Sequence, residues 1–200
     1  MAFIVFEGPD GAGKSSQALA LLKQMESTGY PVILTREPGG TPLGESLRTV
    51  LKSSPAIEPL SELLLFLAAR AELVETIIKP ALTNNINVIS DRFTASTIAY
   101  QGHGQGLNLT DITRLNQLVC SGLSPDLTIL LDIPADLIPS RKSNDTQDRY
   151  DLASGEFHSK VRQGYLSLAS QETSQWLVLD ATKPEATLSE EIWAKIRPLL

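Results

Sequence analysis

Residues 8–15, GPDGAGKS, match the pattern G-x-x-x-x-G-K-[ST]. An apolar run precedes them and an amphipathic helical pattern follows, the setting in which this pattern forms a phosphate-binding loop, or P-loop. Glycines let the backbone curl without Cβ clashes, so that N–H groups converge on anionic oxygens at a helix N-terminus. The residues for a triphosphate are therefore Gly8, Gly11, Ala12, Gly13, Lys14, Ser15 and Ser16. Lys14 is expected to reach the β- and γ-phosphates, and the Ser15 hydroxyl to bind Mg²⁺. Such an ion usually has a carboxylate beside it. Asp91, closing the apolar run VISD, is the candidate, directly or through water. Its alternative role is an N-cap for a helix over 92–101, and the two roles are compatible.

Three arginines mark a second ligand. Arg36 in TREPGG (35–40), Arg92 after VISD and Arg149 in QDRYD lie where loops meet the open edge of a sheet. Ligands of open α/β sheets bind at the carboxyl ends of strands. Two guanidinium groups at one spot are costly without an anion, and form bidentate, charge-assisted bonds with a phosphate between them. Arg36 and Arg92 are thus expected to hold the phosphate of an acceptor. A surface ion pair is the alternative for Arg36. No N-K-x-D tetrapeptide for reading guanine occurs, which argues against a regulatory GTPase. The pattern suits transfer of a phosphoryl group to a second small molecule. The reading of another class is a regulatory P-loop ATPase acting through a partner.

The elements that must carry these residues read as alternating strands and helices. FIVFEG (3–8), PVILTR (31–36), NVISDR (87–92), LTILLD (127–132) and WLVLD (176–180) are short and rich in Val, Ile, Leu and Phe. Continuous apolar runs suit strands covered on both faces. Between them, residues 18, 21, 22 and 25, and later Leu188, Ile192, Ile196 and Leu199, recur on single helical faces. The alternation predicts right-handed crossovers and an α/β fold, a parallel sheet with helices on both sides. The polar segment 140–156 interrupts the pattern and reads as a mobile lid at about 141–155 carrying Arg141, Lys142 and Arg149, or as a solvated loop. The 200 residues otherwise form one domain.

Composition narrows the partners. Seventeen basic against 23 acidic residues leave a formal charge of −6, which argues against nucleic-acid binding through a broad basic surface. Cys120 has no cysteine to pair with and reads as a core thiol, in keeping with a reducing compartment. No apolar stretch approaches the ~20 residues of a membrane span, and the N-terminal run lacks the basic start of a signal peptide. His103 and His158 lack ligand-spaced partners and read as packing or surface residues.

With these residues assembled, the chain resembles bacterial thymidylate kinase. FIVFEGPDGAGK, TREPGGT, LLLFLAARAELVETIIKPAL, VISDRF with STIAYQG, PDLTILLD and LDAT carry the resemblance in order over nearly the whole length. It implies ATP + dTMP → ADP + dTDP with Mg²⁺, a cytoplasmic homodimer and the P-loop NTPase fold with strand order 2-3-1-4-5. By position, Asp10 corresponds to the carboxylate on the sugar 3′-hydroxyl, and Glu37 lies beside the sugar and phosphate. Arg36 and Arg92 correspond to the arginines on the dTMP phosphate. Phe66 corresponds to the ring stacked on thymine, and Arg70 to the side chain reading a thymine carbonyl. Thr97 lies at the base N3 edge with Gln101 nearby, and Tyr100 under the deoxyribose. Arg149 corresponds to the lid arginine of the transferring phosphates, and Ala181 to the adenine-contacting loop. Phe66 and Arg70 are four apart and share a helical face, although spacing alone favours core packing for Phe66. The P-loop has Gly11 where some branches carry a basic residue, which shifts that charge to the lid. The nearest rival activity is another nucleoside monophosphate kinase or a deoxynucleoside kinase.

Overall fold

The computed structural model describes residues 1–54, 56–138, 150 and 154–200. Five strands form one parallel sheet: β1 (Phe3–Glu7), β2 (Val32–Arg36), β3 (Asn87–Asp91), β4 (Leu127–Asp132) and β5 (Trp176–Asp180). Their order is β2-β3-β1-β4-β5, with the expected reversal on either side of β1. Side chains alternate between sheet faces, so β1 serves two cores. Ile4 and Phe6 pack with Ala18, Leu21 and Met25 of α1 (Lys14–Ser27) and with Ile192 and Ile196 of α8 (Glu185–Ile196). Phe3 and Val5 face the opposite way, against Leu73, Val74 and Ile78.

Three expectations are corrected. The runs ending at Gly8 and Arg92 overshoot by one residue, because Gly8 (φ 140°) and Arg92 (φ 77°) turn the backbone out of the sheet. The strands are not all covered on both faces. β2 and β5 each have only one neighbouring strand, and Leu34 and Val178 are exposed. Leu199 does not join the buried stripe of Leu188, Ile192 and Ile196. It is exposed in a 3₁₀ turn, Arg197–Leu199, where Pro198 lacks the N–H that would continue the α-helix.

The other helices are α2 (Pro42–Ser53), α3 (Pro59–Leu73), α4 (Lys79–Thr83), α5 (Thr94–Thr97), α6 (Leu109–Cys120) and α7 (Gly155–Gln171). Wider π-helical turns cover Val74–Ile78 and Ile98–Gly104. The first accommodates Pro80, whose ring would otherwise press on the carbonyl of Thr76. The second carries Tyr100 and Gln101, and such turns occur often at functional sites. Cys120 is buried, and burial pushes its thiol up to about 11, as a core role requires. His158 is also buried, its ring edge-on to Phe157. Among the described residues no helix is long and apolar enough to cross a membrane.

Candidate active site

The phosphate loop leaves β1 at Gly8, where a Cβ would stand 2.5 Å from the Leu131 carbonyl oxygen of the neighbouring strand. Only glycine fits that approach. Gly13, in the left-handed region at φ 91°, caps α1 and delivers Lys14 as its first residue. Lys14 is buried and donates from Nζ to the Pro9 carbonyl at 2.8 Å. Burial and then Arg92 lower its pKa to about 8, against the opposing pull of Asp10, Asp91 and Glu7. A phosphate at the loop would favour the ammonium form further.

Ser15 Oγ donates to Asp91 Oδ2 at 2.5 Å. Asp91 does not cap a helix: α5 begins three residues on, after Phe93, with no side-chain cap. The N-cap expected of Asp91 for a helix over 92–101 is thus corrected. A hydroxyl and a carboxylate in contact are hard oxygen donors suited to Mg²⁺, which takes few protein ligands and completes its shell with phosphates and water.

A cavity of about 190 Å³ opens beside this loop. One end is charged. Arg92 donates from Nη2 to Asp10 Oδ1 at 2.5 Å and from Nη1 to Gly8 O, Ser96 Oγ and Tyr165 OH at 3.2, 2.9 and 3.1 Å. Its guanidinium also lies 5.1 Å from the centre of the Tyr100 ring, and the Tyr100 hydroxyl donates to Asp10 Oδ2 at 3.2 Å. Burial alone would lower the Arg92 pKa, but Asp10 and the two phenols hold it well above the ordinary arginine value. Burial, the larger influence, raises the Tyr100 hydroxyl, so it stays a neutral donor.

The other end of the cavity is lined by Phe66, half-buried, with Arg70, Thr97 and Gln101. Arg70 is 1% exposed and almost fully committed to the protein. It donates to Glu37 Oε2 (2.8 Å), Asn116 Oδ1 (2.5 Å), the Phe93 carbonyl (3.0 Å) and Thr97 Oγ1 (2.9 Å). Glu37 is buried, and burial raises its pKa against the pull of Arg70. Its second oxygen, Oε1, has no partner among the described residues although it is buried in a residue lining the cavity.

Arg36 does not join Arg92. It sits at the end of edge strand β2, half-exposed, and donates from Nη2 to both oxygens of Glu45 at 3.0 Å. It is absent from the cavity lining, where Arg48 of α2 stands instead, donating to the Pro38 carbonyl at 2.9 Å. Arg149, with Arg141 and Lys142, falls outside the described residues. Ala181 follows β5, but its methyl group is buried in the core, so a base would meet its neighbours rather than that side chain. Gly11 is in the left-handed region, Ala12 is buried and Ser16 is exposed at the loop.

The comparisons with known proteins bear on this arrangement directly. The family model described as thymidylate kinase matches residues 6–192. The chain belongs to the thymidylate kinase family. It is 46% identical over 196 residues to a thymidylate kinase of Deinococcus radiodurans, covering 97% of this chain and 95% of that one. It is 42% identical to one of Thermomicrobium roseum, with 99% and 95% covered. The crystal structure of thymidylate kinase from Ehrlichia chaffeensis superposes with a TM-score of 0.83 at 36% identity, covering 98% of each chain.

Several members of this thymidylate kinase site escape a reading by motif. Glu7, fully buried at the end of β1, accepts from the Phe93 and Ser96 amides at 2.9 and 3.1 Å. It also accepts from Ser96 Oγ at 2.6 Å and Tyr165 OH at 3.1 Å. It thereby anchors the turn that holds Arg92 at positive φ. Arg48 was detectable in principle: Thr41 and Pro42 announce a helix start, and Arg48 and Leu51 then fall on one face. Tyr150 and Ser96 carry no such signal.

Proposed function

We propose that this protein transfers the γ-phosphoryl group of ATP to dTMP, giving ADP and dTDP, with Mg²⁺. The observation that carries the reading is the polarity of the cavity. Its cationic end, Arg92 with Asp10, adjoins the Lys14 loop, while its aromatic and amide end suits a flat pyrimidine. A monophosphate lying along it would direct its phosphate at the donor and its base at Phe66, Arg70, Thr97 and Gln101. Asp10 would accept from the sugar 3′-hydroxyl, and the Tyr100 ring would crowd out a 2′-hydroxyl. The unpartnered Glu37 Oε1 is a further acceptor beside the sugar.

The acceptor phosphate is already anionic at neutral pH, so no strong general base is required. Catalysis is then mainly positioning and charge stabilisation. Lys14 balances charge on the phosphates, and Arg92 orients the attacking oxygen. Arg48 adds charge at the cavity wall, and Arg36 contributes where it exchanges Glu45 for the acceptor. Ser15 and Asp91 would hold Mg²⁺, which supplies neutralisation of the phosphate oxygens. Arg149 is assigned the lid arginine's role, by its position in the sequence alone.

The protein works on this reading as a cytoplasmic homodimer. Leu60 and Leu64, exposed one turn apart on α3, offer an apolar face for the contact. Light scattering after size exclusion reports the mass.

The activity is tested by coupled ADP release with ATP, Mg²⁺ and a panel of dTMP, dUMP, UMP, CMP, AMP and GMP. Turnover led by dTMP, weaker with dUMP and near absent with the others, is expected. Turnover led by another monophosphate would keep the kinase and discard the pocket assignment. Release of ADP independent of any acceptor would favour a regulatory ATPase.

A further inference from the structure

Glu62 of α3 is 1% exposed, and no role in the phosphoryl transfer falls to it. Among the described residues three donors converge on its Oε1: Gln101 Nε2 at 2.6 Å, Gln105 Nε2 at 3.0 Å, and the Tyr150 hydroxyl. A carboxylate only accepts, so it selects the NH₂ end of each amide. The effect on Gln105 shows how firmly: its carbonyl oxygen is left buried without a partner among the described residues. Gln101 Nε2 is further engaged by Tyr150 OH at 3.0 Å. Its Oε1 takes no hydrogen bond among the described residues, and Gln101 lines the cavity.

We propose that Glu62 is a positioning residue for base specificity. By holding the Gln101 NH₂ group, it makes the amide present its carbonyl oxygen to the base. That orientation matches an imide N3–H, as in thymine or uracil, and sets lone pair against lone pair at the N3 of cytosine. The two ends of a free amide are similar in size, so without Glu62 either could face the cavity. The proposal rests on the reading of this cavity as the pyrimidine pocket.

The test is Glu62→Gln, which keeps the shape but no longer demands a donor. Dissociation constants for dTMP, dUMP and dCMP are measured by calorimetry, with KM for ATP and kcat alongside. The expected result is a loss of about tenfold in affinity for dTMP and dUMP, the scale of one hydrogen bond. Affinity for dCMP changes less or improves, so the preference for dTMP over dCMP collapses while KM for ATP holds. Gln101→Ala should lower the same ratio, and adding Glu62→Gln to it should lower the ratio no further. An intact ratio in Glu62→Gln, with or without a fall in Tm, overturns the proposal and leaves Glu62 a purely structural residue. Should that variant not fold, Glu62→Asp withdraws the carboxylate by one methylene and must shift the ratio the same way. A wild-type protein that binds no pyrimidine monophosphate would instead remove the acceptor reading itself.

Discussion

The phosphate loop and the cavity beside it share a wall at Asp10 and Arg92 but are built in opposite ways. The loop is one continuous segment, and its geometry follows from glycines and a helix start within nine residues. The cavity is assembled from the turns after β2 and β3, from α2, α3, α5 and the π-turn that follows it, and from Tyr150, and its charges are fixed by partners far away in sequence. Arg92 and Arg36 make the contrast plain, since Arg36 ends β2 and Arg92 directly follows the neighbouring β3, with Arg36 and Asp91 in register. Arg92 comes from the interior of the sheet and is locked by five side-chain partners and carbonyls, whereas Arg36 comes from its edge and leans on Glu45 in solvent. A cation at a strand end thus takes its role from the strand's place in the sheet.

If the loop serves the donor alone, Lys14→Ala should lower kcat by about 10²–10³, the usual loss of a preorganised charge at the transferring group. KM for dTMP should stay within a few-fold in the same steady-state assay. A comparable rise in KM for dTMP would merge the two regions. Arg92→Ala strikes the shared wall. Breaking a pair this shielded should cost toward the lower end of ~3–5 kcal/mol, because both partners keep some solvent contact. Thermal melts should fall by roughly 6–10 °C at this chain length. Calorimetry should find dTMP binding lost and ATP binding largely kept.

The depressed Lys14 pKa sharpens the comparison by pH. With the folded value near 8 and the ordinary value 10.5, the folded protein binds fewer protons than the unfolded chain between them. Lys14 therefore weighs against folding below pH 8, and that penalty is relieved as pH rises toward 10.5. ATP should pull a proton back onto it. Calorimetry at pH 8.5 in buffers of different ionisation enthalpy should detect proton uptake with ATP, absent in Lys14→Ala and absent with dTMP. The smallest effect belongs to Arg36→Ala. Its exposed pair is worth about 0–1 kcal/mol, so Tm should barely move. KM for dTMP should rise less than dTMP affinity falls in Arg92→Ala, with ATP affinity unchanged.

The parallel sheet, the loop and the Ser15–Asp91 pair were legible from local pattern, whereas the strand order came only with the resemblance, because alternating strands and helices admit several orders. The loop's glycines must be glycines wherever the chain turns that way. The cavity was legible only through resemblance. Spacing shows Phe66 and Arg70 on one helical face, but the pairing of Arg70 with Glu37 and Asn116 depends on elements brought together by folding. Glu7 was invisible for the same reason, since an acid inside an apolar run reads as a strand end until Ser96 and Phe93 fold over it. The pairing of Arg36 with Glu45 stayed one of two options in the sequence, because a strand's apolar pattern does not reveal whether it lies at the sheet's edge.

The central claim is that one cavity orients dTMP with its phosphate at Arg92, facing Lys14, and its base at Phe66 and Gln101. A crystal structure with dTMP bound tests this most directly. The account predicts the thymine ring against Phe66, its N3 edge toward Thr97 and Gln101, and the phosphate within hydrogen-bond reach of Arg92. Thymidylate in the reverse orientation, or bound outside this cavity, would contradict it.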